Sequence, residues 1–294
     1  MIRAFSTILF ALALLASPAS AKLKVVASFS ILGDMVSEIA GGHAVVTTLV
    51  GPDGDAHTFE PSPADARTIA DADLIVINGL GLEPWIAPLA RSAGYKNPLI
   101  EASSGVAPRT MAEDGKNITD PHAWQDLKNG VVYADNIAAA LASADPANSA
   151  SYKSSADAYV ARLRSLDADV RKKIESVPPN KRRVITSHDA FGYFAAAYGV
   201  AFLAPEGLST ESEASAGDLT KLIDQIRREG IKALFVENIS DPRMIAMIAG
   251  ETGVKPGGTL YSDALSPKDG PAPTYVAIFE NNVPKLTAAM MDNE

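Results

Sequence analysis

Residues 145–177, DPANSASYKSSADAYVARLRSLDADVRKKIESV, decide how the rest of the chain is read. Asp145 and Pro146 make an N-cap and first-turn pair, and Pro178-Pro179 ends the pattern, since proline fits a helix start and breaks a helix interior. Tyr152, Ala156, Tyr159, Leu163, Leu166, Val170, Ile174 and Val177 recur every three or four residues. That spacing predicts one helix with a continuous apolar stripe about 45 Å long at about 1.5 Å per residue. Two copies could pair along such a stripe as a coiled coil. A single helix running the length of a two-lobed body buries the stripe equally well, and would couple the lobes stiffly enough to keep domain closure small.

The flanks have the composition of two lobes. On one side LKVVAS (23–28), VVTTLV (45–50), DLIVIN (73–78) and PLIE (98–101) read as short strands. On the other, RVITS (183–187), VAFLA (200–204), ALFVE (233–237) and TLYS (259–262) alternate with helical stretches near 190–198, 216–229 and 241–252. Strands alternating with helices predict parallel sheets covered on both faces. The expected architecture is α/β: two parallel-sheet lobes, 22–145 and 179–294, joined by one backbone helix over 146–178, with a ligand cleft between them.

The 294 residues, 47% hydrophobic, suffice for two cores. With no cysteine, no disulfide contributes to the fold, and a metal would have to be held by nitrogen and oxygen. The formal charge of −9 repels nucleic acid and anionic lipid and modestly attracts cations. Residues 1–21, MIRAFSTILFALALLASPASA, combine a basic start, a short apolar core and a small-residue ending, the pattern of a cleaved secretory signal. A soluble, monomeric periplasmic protein beginning at Lys22 is expected.

Three of the four histidines lie where a strand or turn hands over to a helix. His57 is in GPDGDAHTFEPSPAD, ahead of a helix that Ser62 can cap with Pro63 in its first turn; His122 is in TDPHAWQD; His188 follows RVITS; Asp263 follows TLYS. Ligands of open α/β sheets bind beyond the carboxyl ends of strands, and three imidazoles with one carboxylate match a closed zinc shell. Each residue alone has a duller reading, as a surface histidine or a helix-capping aspartate; it is the joint placement that points to a metal. His43, in GGHAVV, lacks such a setting. Lys181, Arg182 and Arg183 read as a solvated approach to a strand, and Gly79-Leu80-Gly81 lacks the third glycine of a dinucleotide loop.

The segments HTFEPSPAD (57–65), DPHAW (120–124), TSHDAFGYFA (186–195), GLSTESEAS (207–215), LFVEN (234–238) and YSDALS (261–266) together resemble the metal-binding substrate-binding proteins of ABC importers, which include zinc, manganese and adhesin-type receptors. The resemblance implies two α/β lobes on one long helix and a metal in the cleft. His57 and His122 match ligands from the first lobe, and His188 and Asp263 match ligands from the second. Manganese receptors of this group tend to carry Glu at the third position, so His188 resembles the zinc branch; imidazole also suits zinc, while carboxylate suits manganese. The segment MAEDGKNITD (111–120) is short and has no histidine, unlike the long His-rich loop of many zinc relatives. Zn(II) is the expected cargo and an ABC permease the expected partner, with metal taken up directly or from another periplasmic delivery protein.

Asp120, Asp189, Glu60, Glu211 and Glu237 are candidates to orient the imidazoles. A secreted zinc hydrolase is the rival reading, but catalytic zinc keeps an open position with three protein ligands, and no H-E-x-x-H segment occurs in the chain.

Overall fold

The computed structural model describes residues 21–113, 116–207, 210 and 215–294. The expected leader, apart from Ala21, and Glu211 therefore lie outside the described residues.

The first half runs β1 (Leu23–Phe29), α1 (Ser30–Ala40), β2 (Ala44–Val50), α2 (Pro63–Ala70), β3 (Leu74–Ile77), α3 (Ile86–Ser92), β4 (Ile100–Glu101), β5 (Thr110–Glu113), β6 (Lys116–Thr119) and α4 (Leu127–Ala144). α5 (Ser149–Glu175) leads to β7 (Arg183–Ile185), α6 (Gly192–Tyr198), β8 (Ala201–Leu203), α7 (Ala216–Glu229), β9 (Val236–Glu237), α8 (Pro242–Thr252), β10 (Thr259–Leu260) and α9 (Tyr275–Met291). Four parallel strands form the first sheet in the order β2-β1-β3-β4. In the second lobe β7 pairs with β8 and β9 with β10, both parallel. A single parallel bridge between Ile185 and Leu234 links the two pairs, so the lobe repeats the order of the first as β8-β7-β9-β10. In β3 every side chain is buried, as expected of a strand covered on both faces.

α5 holds 27 residues, about 40 Å at 1.5 Å per residue. The helix starts at Ser149 after a short 3-10 turn at Pro146–Asn148, because the Asp145 carboxylate is taken up by Asn148 Nδ2 and Tyr152 OH, at 2.7 Å each, instead of capping the helix. Its stripe packs on α1 and α4 of the first lobe and on α6 and α9 of the second. Tyr152, Leu163 and Ile174 are fully buried there, each burial contributing about 1.5–3 kcal/mol. The stripe is thus consumed within the chain, which removes the reason to invoke a coiled coil. One apolar core follows α5 through both lobes, and a smaller one around Ile185, Ile226, Leu234 and Ile248 fills the far side of the second sheet.

Some elements differ from the sequence reading, among them α4, a helix it did not name. Residues 111–113 and 116–119, within the segment 111–120 read as a loop, belong to the antiparallel pair β5–β6. α9 was not anticipated: Pro284 sits inside it, and proline is read as a helix breaker. Among the described residues no helix is long and apolar enough to cross a membrane.

Candidate metal centre

Each of the four residues singled out in the sequence sits just beyond a strand or at a turn, and the fold brings all four together. His57 lies in the loop between β2 and α2. That loop is anchored by a capping box in which Ser62 Oγ accepts from the backbone of Ala64 and Asp65, while Asp65 accepts from the Ser62 backbone. Pro63 follows in the first turn. His122 stands between β6 and α4, with its backbone N–H donating to Asp120 Oδ1 at 3.0 Å. His188 lies between β7 and α6, and Asp263 three residues beyond β10.

His57 Nε2 is 3.2 Å from His122 Nε2 and 3.1 Å from Asp263 Oδ2. His188 Nε2 is 3.1 Å and His122 Nε2 3.4 Å from the same carboxylate oxygen. One donor atom from each residue falls within 4.8 Å of all the others. Corners of a tetrahedral shell with arms of about 2.0–2.1 Å lie about 3.3–3.4 Å apart, and these four separations are close to that. His122, His188 and Asp263 are fully buried and His57 is 8% exposed, which leaves His57 as the member of the cluster nearest solvent. Asp263 Oδ1 is buried without a hydrogen-bond partner, and a buried carboxylate oxygen left unpaired is costly.

The back of two rings is braced by carboxylates. His122 Nδ1 is 2.9 Å from Asp120 Oδ1. His188 Nδ1 is 2.8 Å from Glu237 Oε2, a close ionic contact that is off-axis for a hydrogen bond; the 2.9 Å bond from the His188 backbone N–H to Glu237 Oε1 is well aligned. These braces fix Nε2 as the inward nitrogen of each ring. Burial alone would lower the pKa of His122, but the Asp263 and Asp120 carboxylates outweigh it and raise the imidazole to about 9. Burial likewise opposes charge on His188, and Glu237 with Asp263 raises it well above the ordinary histidine range. Burial pushes Asp263 up, and the His122 and His188 imidazoles overcome this and hold it well below the usual carboxylate range.

Of the other orienting candidates, Glu60 is exposed. Asp189 lies close enough to feel both rings, yet burial raises its pKa, and its backbone N–H goes to the Gly207 carbonyl.

Sequence reasoning missed a buried network behind His122. Asn78 Nδ2 donates to the Pro121 carbonyl at 2.9 Å, and Asn78 Oδ1 accepts from Tyr133 OH at 2.6 Å. Glu83 Oε1 accepts from Ser28 Oγ at 2.6 Å and from the Asn78 backbone at 2.7 Å, and Oε2 from the Gly79 backbone at 3.3 Å. Gly79, Leu80 and Gly81 all have positive φ, at 82°, 54° and 87°. The GLG stretch is therefore a left-handed turn closed by the Glu83 carboxylate, and the only sequence signal for it is a glutamate four residues after the first glycine. Asp55 was missed as well; its Oδ1 accepts from the His57 backbone at 2.8 Å and its Oδ2 from Thr210 of the second lobe at 2.5 Å.

Residues 25–289 match the family described as ZnuA, zinc-uptake complex component A, periplasmic. The chain belongs to the ZnuA family. Members of this family are metal-binding receptors of ABC importers that work outside the cytoplasm, and are not enzymes. The iron-binding protein YfeA of Yersinia pestis is 33% identical over 268 residues, 91% of this chain and 86% of that protein. The manganese-binding lipoprotein MntA of Halalkalibacterium halodurans is 30% identical, covering 97% of this chain and 98% of its own length. The solved structure of the periplasmic zinc-binding protein TroA of Treponema pallidum superimposes with a TM-score of 0.87 at 30% identity, over 92% of this chain and 99% of that one. ZnuA-family relatives are thus named for three different metals, and the donor set of this chain must supply the argument for its own.

Proposed function

We propose that this receptor captures one Zn(II) through Nε2 of His57, His122 and His188 and an oxygen of Asp263, and delivers it to an ABC permease. The observation that carries this reading is the convergence of three imidazole nitrogens and one carboxylate oxygen, with two of the rings backed by carboxylates. Adjacent corners of an octahedral shell are spaced much like tetrahedral ones, so donor type decides: nitrogen-rich sets suit zinc, carboxylate-rich sets suit manganese, and zinc stands above manganese in intrinsic affinity. Four protein donors fill a tetrahedral shell and hold a cargo ion without leaving an open position for water chemistry. Manganese remains the alternative cargo, favoured by the likeness to the manganese-binding lipoprotein.

The leader over residues 1–21, and a sequence without cysteine, support a soluble periplasmic protein processed after Ala21. The lobes 22–145 and 179–294, coupled by the segment 146–178 that contains α5, would present the loaded cleft to the permease. Capture requires the imidazoles to lose their protons to the metal; release requires the donors to part.

The test is titration of the metal-free, leader-free chain with Zn(II). One ion per chain should bind tightly, and both His188→Ala and Asp263→Ala should weaken binding by more than a hundredfold while the far-ultraviolet spectrum stays that of the parent. Unchanged affinity in either variant would remove that residue from the ligand set.

A further inference from the structure

The peptide that carries Asp263 is gripped from the opposite lobe. The Ser262 carbonyl accepts two hydrogen bonds at once, from Trp124 Nε1 and from Gln125 Nε2, each 2.9 Å long. Both donors belong to the 3-10 turn immediately after His122, and both side chains are buried, at 0% and 1% exposed. Two residues beyond Asp263 the grip recurs: the Leu265 N–H donates to Ser30 Oγ at 3.0 Å, and the Leu265 carbonyl accepts from the Asp53 N–H at 2.9 Å. Residues 262–265 follow β10 of the second lobe in sequence, yet most of their hydrogen bonds go to the first. From its own lobe this segment has the 3.1 Å contact of His188 Nε2 with Asp263 Oδ2 and the longer bond from Asn238 Nδ2 to the Ala264 carbonyl, at 3.3 Å.

From this geometry, and resting on the ligand reading above, we infer that Gln125 is a positioning residue: with Trp124 it clamps the Ser262 carbonyl so that Asp263 stays beside His122, and the strength of this clamp sets how fast the metal leaves. A short segment, 122–125, supplies one ligand and holds the neighbour of another. His122 Nε2 and Asp263 Oδ2, 3.4 Å apart and from different lobes, are therefore brought into register by protein–protein bonds. Parting the lobes must break the clamp before Asp263 can withdraw. A carbonyl oxygen has two lone pairs, and here both are used. Loss of Gln125 leaves Trp124 in place, so the carbonyl is not orphaned, but the peptide gains freedom to swing about the remaining bond.

The experiment measures association and dissociation of Zn(II) by stopped flow, with a chromophoric chelator as acceptor, on the leader-free chain and on Gln125→Met, which keeps the length and loses the donor. Dissociation should quicken about tenfold with association unchanged, and the metal-free melting profile should stay that of the parent. Gln125→Glu, the isosteric change that turns the donor into an acceptor, should release metal at least as fast and serves if the methionine variant does not fold. Parental dissociation in the folded variants, or slower association alone, overturns the inference. His188→Ala leaves the clamp intact and separates the two ideas. If it abolishes tight binding while Gln125→Met releases zinc at the parental rate, the clamp fails and the ligand set stands; if it binds zinc normally, the ligand set itself fails.

Discussion

Oε2 of Glu237 lies 2.8 Å from Nδ1 of His188, with both side chains fully buried, and the other nitrogen of the same ring is 3.1 Å from Asp263. A buried carboxylate behind an imidazole fixes the tautomer and raises the basicity of the inward nitrogen. Glu237→Gln removes the charge and keeps the shape. Zinc affinity should fall by about 10–100-fold, the range typical for loss of such a partner, as read by competition with a chelator of known strength. Unchanged affinity would show that the ring is held by packing alone.

Protons compete with metal at the same nitrogens. The His122 imidazole, raised to about 9 against the opposing effect of burial, carries a proton at pH 7 that must leave when a cation binds. Affinity should therefore climb from neutrality toward pH 9. Calorimetry at pH 7 in two buffers of different ionisation heat should reveal proton release, and identical heats in both would contradict it. For the metal-free chain the sign reverses: a group whose folded pKa is raised stabilises fully below about 6.5 and loses that contribution as pH rises through about 9, so from this group the melting temperature should decline across that window.

In the proposed donor set, the position of His188 should tune the choice of metal. His188→Glu exchanges nitrogen for oxygen and gives two imidazoles with two carboxylates, a set better matched to manganese. The ratio of zinc to manganese affinity should drop by at least tenfold, measured by competitive titration. A ratio that does not move would place selectivity elsewhere in the fold.

Glu83 lies behind the cluster and bonds to Ser28, Asn78 and Gly79, none of them a member of it. Burial raises its carboxyl to about 7 against the bonds from Ser28, Asn78 and Gly79. Between 4.5 and about 7 the folded chain then binds more protons here than the unfolded chain, so stability falls as pH rises through that window, by on the order of 3 kcal/mol. Glu83→Gln should flatten this decline. Asp34, raised by burial to about 6, leaves a residual slope of the same sign. Parallel curves of denaturation midpoint against pH for the two proteins would refute the assignment.

The α/β alternation and the long helix were legible because strands buried on both faces read as unbroken apolar runs, and because the α5 stripe keeps helical spacing from Tyr152 to Val177. His57, His122, His188 and Asp263 were legible because each stands at a turn beyond a probable strand or at the chain's densest turn signals. Asn78, Glu83 and Gln125 were not. Their roles depend on partners 43, 55 and 137 residues away in the chain, and no local pattern encodes such distances. α9 was hidden by Pro284, which sits inside the helix with the buried Val283 and Leu286 on either side of it.

The most direct test of zinc capture is a competitive titration of the metal-free, leader-free chain with Zn(II) and Mn(II), counting ions bound per chain. One tightly bound zinc that excess manganese does not displace is the expected result. Tighter binding of manganese would contradict the argument from donor type.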